Sequence, residues 1–291
     1  MTLEFRPTTE HDAAAVAELL NAFENAVADY PEPTSEEDVL LWWRREGEGR
    51  LVLDGEMLVG LAYLQRRGDR WDGDGFVHPD AFGRGVGTAI VQWLEQRARE
   101  LGSPEIRIAV LGEDPPAACL MRARGYARMR TFFRMAIELA EEPGEAAWPD
   151  GYEVSTLRPG EERDLYQVLE DAFADHWDHN ERTYEEWIAV RKIDHELCFL
   201  VRSGGEVAAG ELCRLDDFGT GWVDVLGTRR EHRRRGLGEA LLAQAFRVFY
   251  GRGTRRVGLG VDSESLTGAT RLYERVGMRV ASRIDLYAKE L

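Results

Sequence analysis

Cysteines, long apolar runs and a basic leader are scarce or missing in this sequence. The three cysteines, Cys119, Cys198 and Cys213, are far apart and form no Cys-x-x-Cys pair, so we expect reduced packing residues. No stretch approaches ~18 uncharged apolar residues, which argues against a membrane-spanning helix. The first residues lack the basic and apolar regions of a signal peptide, and acidic Glu10 and Asp12 follow at once. We therefore expect a cytoplasmic protein with no membrane partner.

Positive charge is also in deficit. The chain has 37 Lys plus Arg against 53 Asp plus Glu, for a formal net charge of −16. This balance does not suit the phosphate backbone of nucleic acids, so we expect no nucleic-acid partner. By contrast, 44% of the 291 residues are hydrophobic and 10% are aromatic, enough to form packed cores. The length is typical of two domains.

An internal repeat divides the chain, with Gly125 recurring as Gly277. The matched segments are 5–7 and 157–159, 83–87 and 234–238, and 120–126 and 272–278. Three matches in one order at nearly one spacing predict two copies of one domain. We place the copies at 1–140 and 152–291, with 141–151 as a linker because it combines acidic residues, prolines and glycines without apolar periodicity.

Apolar periodicity predicts the same order of elements in each copy. In the second copy, the predicted helices are 161–174, 183–192, 237–250 and 268–276. The predicted strands are 152–157, 197–201, 207–215, 222–226, 257–261 and 279–288. Helices interleaved with a largely antiparallel first half predict an α/β fold with a mixed sheet.

The sharpest motif is the turn 233–238, Arg-Arg-Arg-Gly-Leu-Gly, between a predicted strand and a predicted helix. Glycines let backbone N–H groups approach a ligand closely, and the helix start adds a positive dipole, a combination that suits a pyrophosphate. A dinucleotide Gly-x-Gly-x-x-Gly motif does not fit, since Ala240 and Leu241 follow, and a Walker Lys-Ser/Thr pair is missing. The alternative is a tight turn with no ligand.

This turn resembles the signature Arg/Gln-x-x-Gly-x-Gly/Ala of the GNAT superfamily of acyl-CoA-dependent N-acetyltransferases, matched by Arg233, Gly236 and Gly238. The Leu-Tyr pair at 272–273, followed by Gly-Met at 277–278, is similar to the second element of that superfamily. The tandem arrangement looks like that of the mycothiol synthase family. The resemblance implies two tandem GNAT acyl-CoA N-acyltransferase domains in one chain.

The resemblance also implies that acetyl-CoA is the co-substrate and lies between the strand ending near Thr228 and the strand 257–261. Its pyrophosphate would rest on the backbone of 233–238, and a backbone N–H near Leu226 or Gly227 would stabilise the oxyanion. The expected cofactor-binding residues are Leu226, Gly227, Thr228, Arg233, Arg234, Arg235, Gly236, Leu237 and Gly238. Arg233 to Arg235 are favoured over Arg229 and Arg230 for the phosphates.

In the family, a tyrosine commonly protonates the departing CoA thiolate, and Tyr273 matches it; the alternative is a packed tyrosine with its hydroxyl in water. A family glutamate on the strand before the turn is replaced here by Trp222 or its neighbours. The identity of the general base therefore stays open. Asp224, expected to share a face with Trp222 and Leu226, is the first candidate as base or ammonium anchor, Glu211 is the second, and a water relay is the third.

The first copy departs from the motif at two positions. Phe82 stands where the second copy has Arg233, and Met121 replaces Tyr273. A thioether cannot donate a proton, so we expect catalysis in the second copy. Whether the first copy holds CoA stays open.

We therefore predict transfer of an acetyl group from acetyl-CoA to a primary amine of a small molecule. The alternatives are a non-catalytic CoA-binding sensor or scaffold, and a protein amine acetyltransferase. His176 and His179 would share a helix face and Glu181 follows them, but no third ligand has convincing spacing, so we expect no metal and favour a substrate lid there. Pairing two copies in one chain fits a monomer or a homodimer.

Overall fold

The computed structural model describes residues 2–29, 31–179, 182–265 and 267–291. The chain divides into two compact units: unit 1 comprises Met1–Phe133 and Ala281–Leu291, and unit 2 comprises Arg134–Val280. Within the described residues, the structure contains no helix that is both long and apolar enough to span a membrane.

The helices and strands of the two halves follow one order along the chain. The first half contains β1 (Leu3–Pro7), α1 (Ala13–Val27), α2 (Glu36–Trp43), β2 (Gly47–Asp54), β3 (Met57–Arg67), β4 (Arg70–Val77), α3 (Val86–Glu100), β5 (Glu105–Leu111), α4 (Pro115–Ala123) and β6 (Ala127–Glu138). The second contains β7 (Glu153–Thr156), α5 (Glu162–Phe173), α6 (Tyr184–Ala189), β8 (Phe199–Ser203), β9 (Glu206–Leu215), β10 (Gly221–Thr228), α7 (Leu237–Gly251), β11 (Arg256–Asp262), α8 (Ala269–Arg275) and β12 (Arg279–Glu290). Every helix and strand predicted for the second copy is present, with ends shifted by at most a few residues.

Both units contain a mixed sheet, as predicted. The strand order is β1-β2-β3-β4-β5-β12 in unit 1 and β6-β11-β10-β9-β8-β7 in unit 2. β4 pairs with β5 in parallel, and β10 pairs with β11 in parallel. A parallel pair needs a crossover connection, which α3 and α7 provide. The consecutive strands β1 to β4 and β7 to β10 form antiparallel pairs.

The last strand does not stay with the copy that precedes it in sequence. β12 pairs with β5 in antiparallel register, from Ile284 opposite Leu111 to Glu290 opposite Glu105. The C-terminal residues therefore complete the sheet of unit 1, and the compact units do not follow chain order. The boundaries near 140 and 152 describe the sequence repeat and stay a prediction.

Each unit has its own apolar core. In unit 1, Val86, Ile90 and Leu94 of α3 pack in one cluster with Ile106 and Ile108 of β5. In unit 2, one cluster contains Leu165, Val168, Leu169, Trp187, Cys198, Leu200 and Leu212. Cys198 and Cys213 are buried, as expected for packing residues, whereas Cys119 is exposed.

A buried ion cluster ties β12 to α3 within unit 1. Glu95 is 3% exposed and accepts hydrogen bonds from Arg124 Nη2 at 2.8 Å and from Lys289 Nζ of β12 at 3.0 Å. Burial alone would raise the pKa of Glu95, but the hydrogen bonds from Arg124 and Lys289 outweigh it and lower the pKa. The carboxylate is therefore ionised in the folded protein at neutral pH.

Replacing Glu95→Gln should destabilise unit 1, because Arg124 and Lys289 would lose their counter-charge. We expect a loss of about 2–3 kcal/mol in the free energy of unfolding at pH 7, by urea titration. A lowered folded-state pKa gives stability that is present above the unfolded value and lost as pH falls through the folded value. The difference between wild type and variant should therefore shrink in acid. Exposed Glu100→Gln is the control, and a pH-independent difference would contradict this account.

Candidate active site

β10 and β11 separate partway along their length. Their register pairs join Gly221–Val223 to Val257–Leu259. β10 then continues to Thr228 and β11 to Asp262, with no further register pairs between them in the described part of the chain. We call the space between 225–228 and 260–262 the strand wedge. Backbone N–H and C=O groups along its edges can bind an extended ligand.

A β-bulge at Asp224 accompanies the separation and changes which way the side chains face. On β10, Val223 is in register with Cys213 and Val225 with Leu212, so Asp224 is the one extra residue of β10 in its register with β9. A bulge of this kind adds one residue to one strand and shifts the alternation of its side chains. Positions before and after the bulge therefore have opposite parity.

The contacts of the glycines identify the two faces of the unit 2 sheet. A Cβ added at Gly227 would meet Leu169 and Ala172 of α5, which defines the α5 face. A Cβ added at Gly238 of α7 would lie 3.0 Å from Leu272 of α8 and 3.5 Å from Leu226, so Leu226 lies on the opposite, α7–α8 face.

The expected shared face of Trp222, Asp224 and Leu226 is wrong. A Cβ added at Gly221 would meet Phe249 of α7, so the next residue, Trp222, lies on the α5 face, opposite to Leu226. The bulge is the physical reason, because simple alternation holds only along a regular strand.

Asp224 lies beside Arg214 and Trp222. Arg214 donates from Nε to Asp224 Oδ1 at 3.0 Å, and its guanidinium lies 5.6 Å from the centre of the Trp222 ring. The carboxylate side chain is 32% exposed. Its assignment as general base or ammonium anchor stays a prediction.

The glycine turn has the geometry of an anion-binding loop. Arg234 has φ 60° and Gly236 has φ 87°, the left-handed region that a non-glycine residue rarely adopts. α7 begins at Leu237, directly after Gly236. The N–H groups of its first turn lack intrahelical partners, so they are available to a phosphate.

The arginines around the turn have different tasks. Arg233 donates from Nε to Thr228 O at 3.1 Å and from Nη2 to Ala172 O at 2.8 Å, so it fastens the turn to the end of β10 and to the last turn of α5. Arg234 and Arg235 are exposed. Arg229 and Arg230 form ion pairs with Asp171 and Asp175, respectively. Arg229 and Arg230 are thus engaged with carboxylates of the α5 region, and the binding of phosphates by Arg234 and Arg235 stays a prediction.

Tyr273 and Glu211 form the buried polar part of the site. Tyr273 of α8 is 8% exposed, and burial together with the charge of Glu211 raises its pKa to about 12. Glu211 of β9 is opposite Leu226, so it lies on the α7–α8 face. It is 0% exposed, and neither carboxyl oxygen has a hydrogen-bond partner in the described structure. Burial raises its pKa to about 8.

The sequence analysis missed Asp262, the last residue of β11. Asp262 is 7% exposed, and its Oδ2 lies 3.9 Å from His176 Nε2. Asp262 shares the parity of Gly258, whose added Cβ would meet the Trp222 ring, so the pair belongs to the α5 face. The signal available in the sequence was an acid that ends the alternating run Val257, Leu259, Val261.

No cluster of three or more metal-ligating side chains occurs in the ranges that the structure describes. Within the segment that we expected to form a lid, His176 faces Asp262 and His179 Nε2 lies 3.5 Å from Glu170. Glu181 lies outside the described residues.

A family model described as the acetyltransferase (GNAT) family matches residues 14–126 and 162–278. The chain belongs to this GNAT family. It is therefore an N-acetyltransferase with two GNAT domains in tandem, and the family resemblance drawn from the glycine turns is confirmed.

Curated relatives and solved structures extend over nearly the whole GNAT chain. Mycothiol acetyltransferase of Catenulispora acidiphila is 29% identical over 308 residues, covering 97% of this chain and 96% of the relative. That of Thermobispora bispora is 31% identical, covering 92% and 93%. The GCN5-related N-acetyltransferase from Sphaerobacter thermophilus is 34% identical, with a TM-score of 0.81, and covers 99% of this chain and 95% of that one. A tandem GNAT protein from the clavulanic acid pathway, 18% identical with a TM-score of 0.79 and covering 99% and 98%, shows the fold alone.

The first GNAT domain keeps the turn but not the tyrosine. Gly85, with φ 86°, precedes α3 as Gly236 precedes α7. Met121 is 2% exposed, and Phe82 is 44% exposed. This domain therefore has the backbone of an anion-binding turn without a phenolic proton donor at the matching position.

Replacing Glu211→Gln should stabilise the protein in mild alkali. A carboxyl whose folded-state pKa is raised contributes stability that is fully present below its unfolded value and lost as pH rises through the folded value. The loss therefore develops between the ordinary carboxyl range and about pH 8. We expect the variant to match wild type near pH 4.5 and to exceed it by about 4 kcal/mol at pH 8, in urea unfolding. Equal stabilities at pH 8 would show that Glu211 is not the buried acid described here.

Proposed function

We propose that this GNAT protein transfers an acetyl group from acetyl-CoA to a primary amine of a small molecule, and that unit 2 carries the reaction. The observation that supports this most is the strand wedge, with an anion-binding turn at one end and the buried phenol of Tyr273 on α8. Unit 1 has Met121 at the position of Tyr273, so we assign it no proton transfer.

The residues of unit 2 fit acetyl-CoA. The backbone N–H groups of 234–238 would hold the pyrophosphate, with the exposed side chains of Arg234 and Arg235 beside it. The open backbone edge at 226–228 would pair with the pantetheine amides. When bound, acetyl-CoA supplies an activated acetyl group as a thioester. No metal is needed for direct transfer to an amine.

Three tasks fall to residues of the chain. A backbone N–H near Leu226 or Gly227 would stabilise the negative charge that develops on the carbonyl oxygen. Tyr273 would give its phenolic proton to the sulfur as the carbon–sulfur bond breaks. On the α5 face, a substrate ammonium would be attracted by Asp224 and by the buried carboxylate of Asp262 beside His176.

The α5 face offers space for the amine. A Cβ added at Gly260 of β11 would meet nothing within 4 Å, whereas one at Gly258 would lie 2.8 Å from the Trp222 ring. The acceptor would therefore enter past Gly260, where Asp224 remains our proposed base or ammonium anchor. His176, whose Nε2 lies 3.9 Å from Asp262 Oδ2 on the same face, is a second group of suitable chemistry for taking a proton.

The curated relatives are named for mycothiol, so a mycothiol-related amine is the proposed acceptor class. The acidic surface would favour a cationic acceptor, although the net charge describes the whole chain and not one pocket. The first assay is chromatographic detection of free CoA with a panel of primary amines that includes mycothiol lacking its acetyl group.

Replacing Tyr273→Phe should reduce turnover about 10²- to 10⁴-fold, because the departing sulfur would lose its proton donor. The affinity for acetyl-CoA should change little, since the phenolic hydroxyl is not part of the anion-binding turn. Steady-state kinetics and calorimetry measure the two quantities separately. Tyr250→Phe on α7, whose ring packs against Arg255, is the matched control. Unchanged turnover in Tyr273→Phe would remove Tyr273 from the mechanism.

Two matched variants test which unit holds acetyl-CoA. Gly236 and Gly85 precede α7 and α3 with φ of 87° and 86°, and an added Cβ meets nothing within 4 Å at either position. Gly236→Asp and Gly85→Asp therefore carry a similar backbone cost and place a carboxylate where a pyrophosphate would bind.

By titration calorimetry, Gly236→Asp should weaken acetyl-CoA binding to the catalytic site at least about 100-fold and abolish turnover. Gly85→Asp should leave turnover intact. Loss of turnover in Gly85→Asp alone would reverse the assignment of the active unit. Binding without turnover in the wild type, across the amine panel, would favour a CoA-binding sensor instead.

A further inference from the structure

The acid that follows α5 stands where a helix disfavours negative charge. α5 ends at Phe173, and Asp175 lies two residues further on. The C-terminal end of a helix carries a partial negative charge, so a carboxylate there is unfavourable unless cations neutralise it. The last turn of α5 has no basic residue of its own. The stability of α5 alone therefore gives no reason for an acid at 175.

Arginines around the anion-binding turn neutralise Asp175. Its carboxylate forms an ion pair with Arg230 and lies 3.7 Å from Nη1 of Arg233. Arg233 also donates to Ala172 O at 2.8 Å, so one arginine holds both the end of the helix and the acid. The side chains of Asp175 and Arg230 are 45% and 72% exposed, and exposed ion pairs contribute little to the free energy of folding. We call Asp175, Arg230 and Arg233 the turn junction.

The residue after Asp175 is His176, which lies on the α5 face where we placed the amine. Its backbone N–H donates to Phe173 O at 2.8 Å, and its Nδ1 accepts from the backbone N–H of Asp178 at 3.4 Å. Its Nε2 lies 3.9 Å from Oδ2 of Asp262, the buried acid at the end of β11. The consecutive residues 175 and 176 therefore connect the anion-binding turn with the proposed amine site.

Unit 1 has the same order of helices and strands without this connection. The Ala-Phe pairs at 22–23 and 172–173, the glycine turns and the ends of β5 and β11 align the two units. The unit 1 positions that match 175, 176, 230, 233 and 262 all hold residues without charge, namely Asn25, Ala26, Pro79, Phe82 and Leu111. The turn junction is therefore not needed for the fold, and it occurs in the unit to which we assign catalysis.

We propose that Asp175 is a positioning residue that couples the two substrate sites of unit 2. Held by Arg230 and Arg233, it keeps His176 opposite Asp262 when acetyl-CoA occupies the anion-binding turn. Acetyl-CoA on the turn thereby strengthens amine binding on the α5 face, and the amine strengthens acetyl-CoA binding by the same factor. Asp175 itself contacts neither substrate. The proposal rests on the acetyl transfer proposed above.

The physical basis of the coupling is the conformation of the turn. Arg234 and Gly236 hold left-handed conformations, with φ of 60° and 87°, and the N–H groups of 234–238 are directed to a pyrophosphate only in this arrangement. A ligand on these groups therefore selects that arrangement, together with the positions of Arg230 and Arg233 that bind Asp175. The amine then meets a pair of side chains, His176 and Asp262, that is already ordered, so less binding free energy is lost in ordering it.

The test uses steady-state kinetics and calorimetry with the amine of the panel that gives the highest turnover. We expect Asp175→Asn, which introduces the residue that unit 1 has, to lower kcat/KM for the amine about 10- to 30-fold. Without amine, the dissociation constant of acetyl-CoA should change less than about threefold, because the pyrophosphate is assigned to backbone N–H groups. The urea midpoint should match that of wild type. Asp171→Asn is the matched control and should keep wild-type amine kinetics, since its partner Arg229 is also held by Val207 O at 2.8 Å.

Two further readouts separate positioning from a general structural loss. With CoA in place of acetyl-CoA no transfer occurs, and the amine should bind the CoA complex of wild type at least about fivefold more tightly than the free protein. In Asp175→Asn this factor should fall below about twofold, and Asp175→Glu, which keeps a carboxylate, should recover part of it. In the His176→Ala background, Asp175→Asn should lower kcat/KM for the amine less than about twofold further.

Each outcome decides a different point. An effect of CoA on amine binding that survives Asp175→Asn would overturn the positioning role while leaving acetyl transfer intact. Additive effects of Asp175→Asn and His176→Ala would also overturn it, since a loss that does not act through His176 is independent of that residue. Weaker acetyl-CoA binding by Asp175→Asn without amine would contradict it too, because Asp175 would then only hold the turn. Absence of turnover in wild type across the amine panel would overturn the proposed function itself, together with this role.

Discussion

The bulge at Asp224 is the constraint on which the rest of the unit 2 site depends. It coincides with the end of pairing between β10 and β11, so the edges of both strands become free to hold a ligand. It also turns Leu226 onto the α7–α8 face, opposite Glu211, while Trp222 and Asp224 stay with α5. One extra residue thereby places Leu226 and Glu211 on one face of the sheet and Trp222 on the other.

The buried carboxyl of Glu211 lowers the stability of the folded protein. A buried, unpaired carboxyl lowers stability in the pH range where the protein would work, and an apolar side chain would fill the same place without that loss. Such local conflicts between stability and residue choice are typical of functional positions. Asp262 and His176, on the other face, are charged or titratable groups near the open end of β11. The two faces thus differ in chemistry as well as in access.

The repeat, the helix positions and the mixed sheet followed from the sequence, because apolar periodicity and the paired glycine turns are local signals. Two features did not follow. The sheet face on which the Leu226 side chain lies was predicted wrongly, because alternation assumes a regular strand. Nothing in the local sequence marks Asp224 as a bulge. The pairing of β12 with β5 joins residues about 180 positions apart, so no local pattern encodes it. Asp262 was visible only as an acid at a strand end.

The most direct measurement is a crystal structure of the protein with acetyl-CoA bound. We predict the thioester between β10 and β11 of unit 2, its pyrophosphate on the N–H groups of 234–238 and its sulfur within hydrogen-bond distance of the Tyr273 hydroxyl. A thioester seated only in unit 1, or a sulfur remote from Tyr273, would contradict the account.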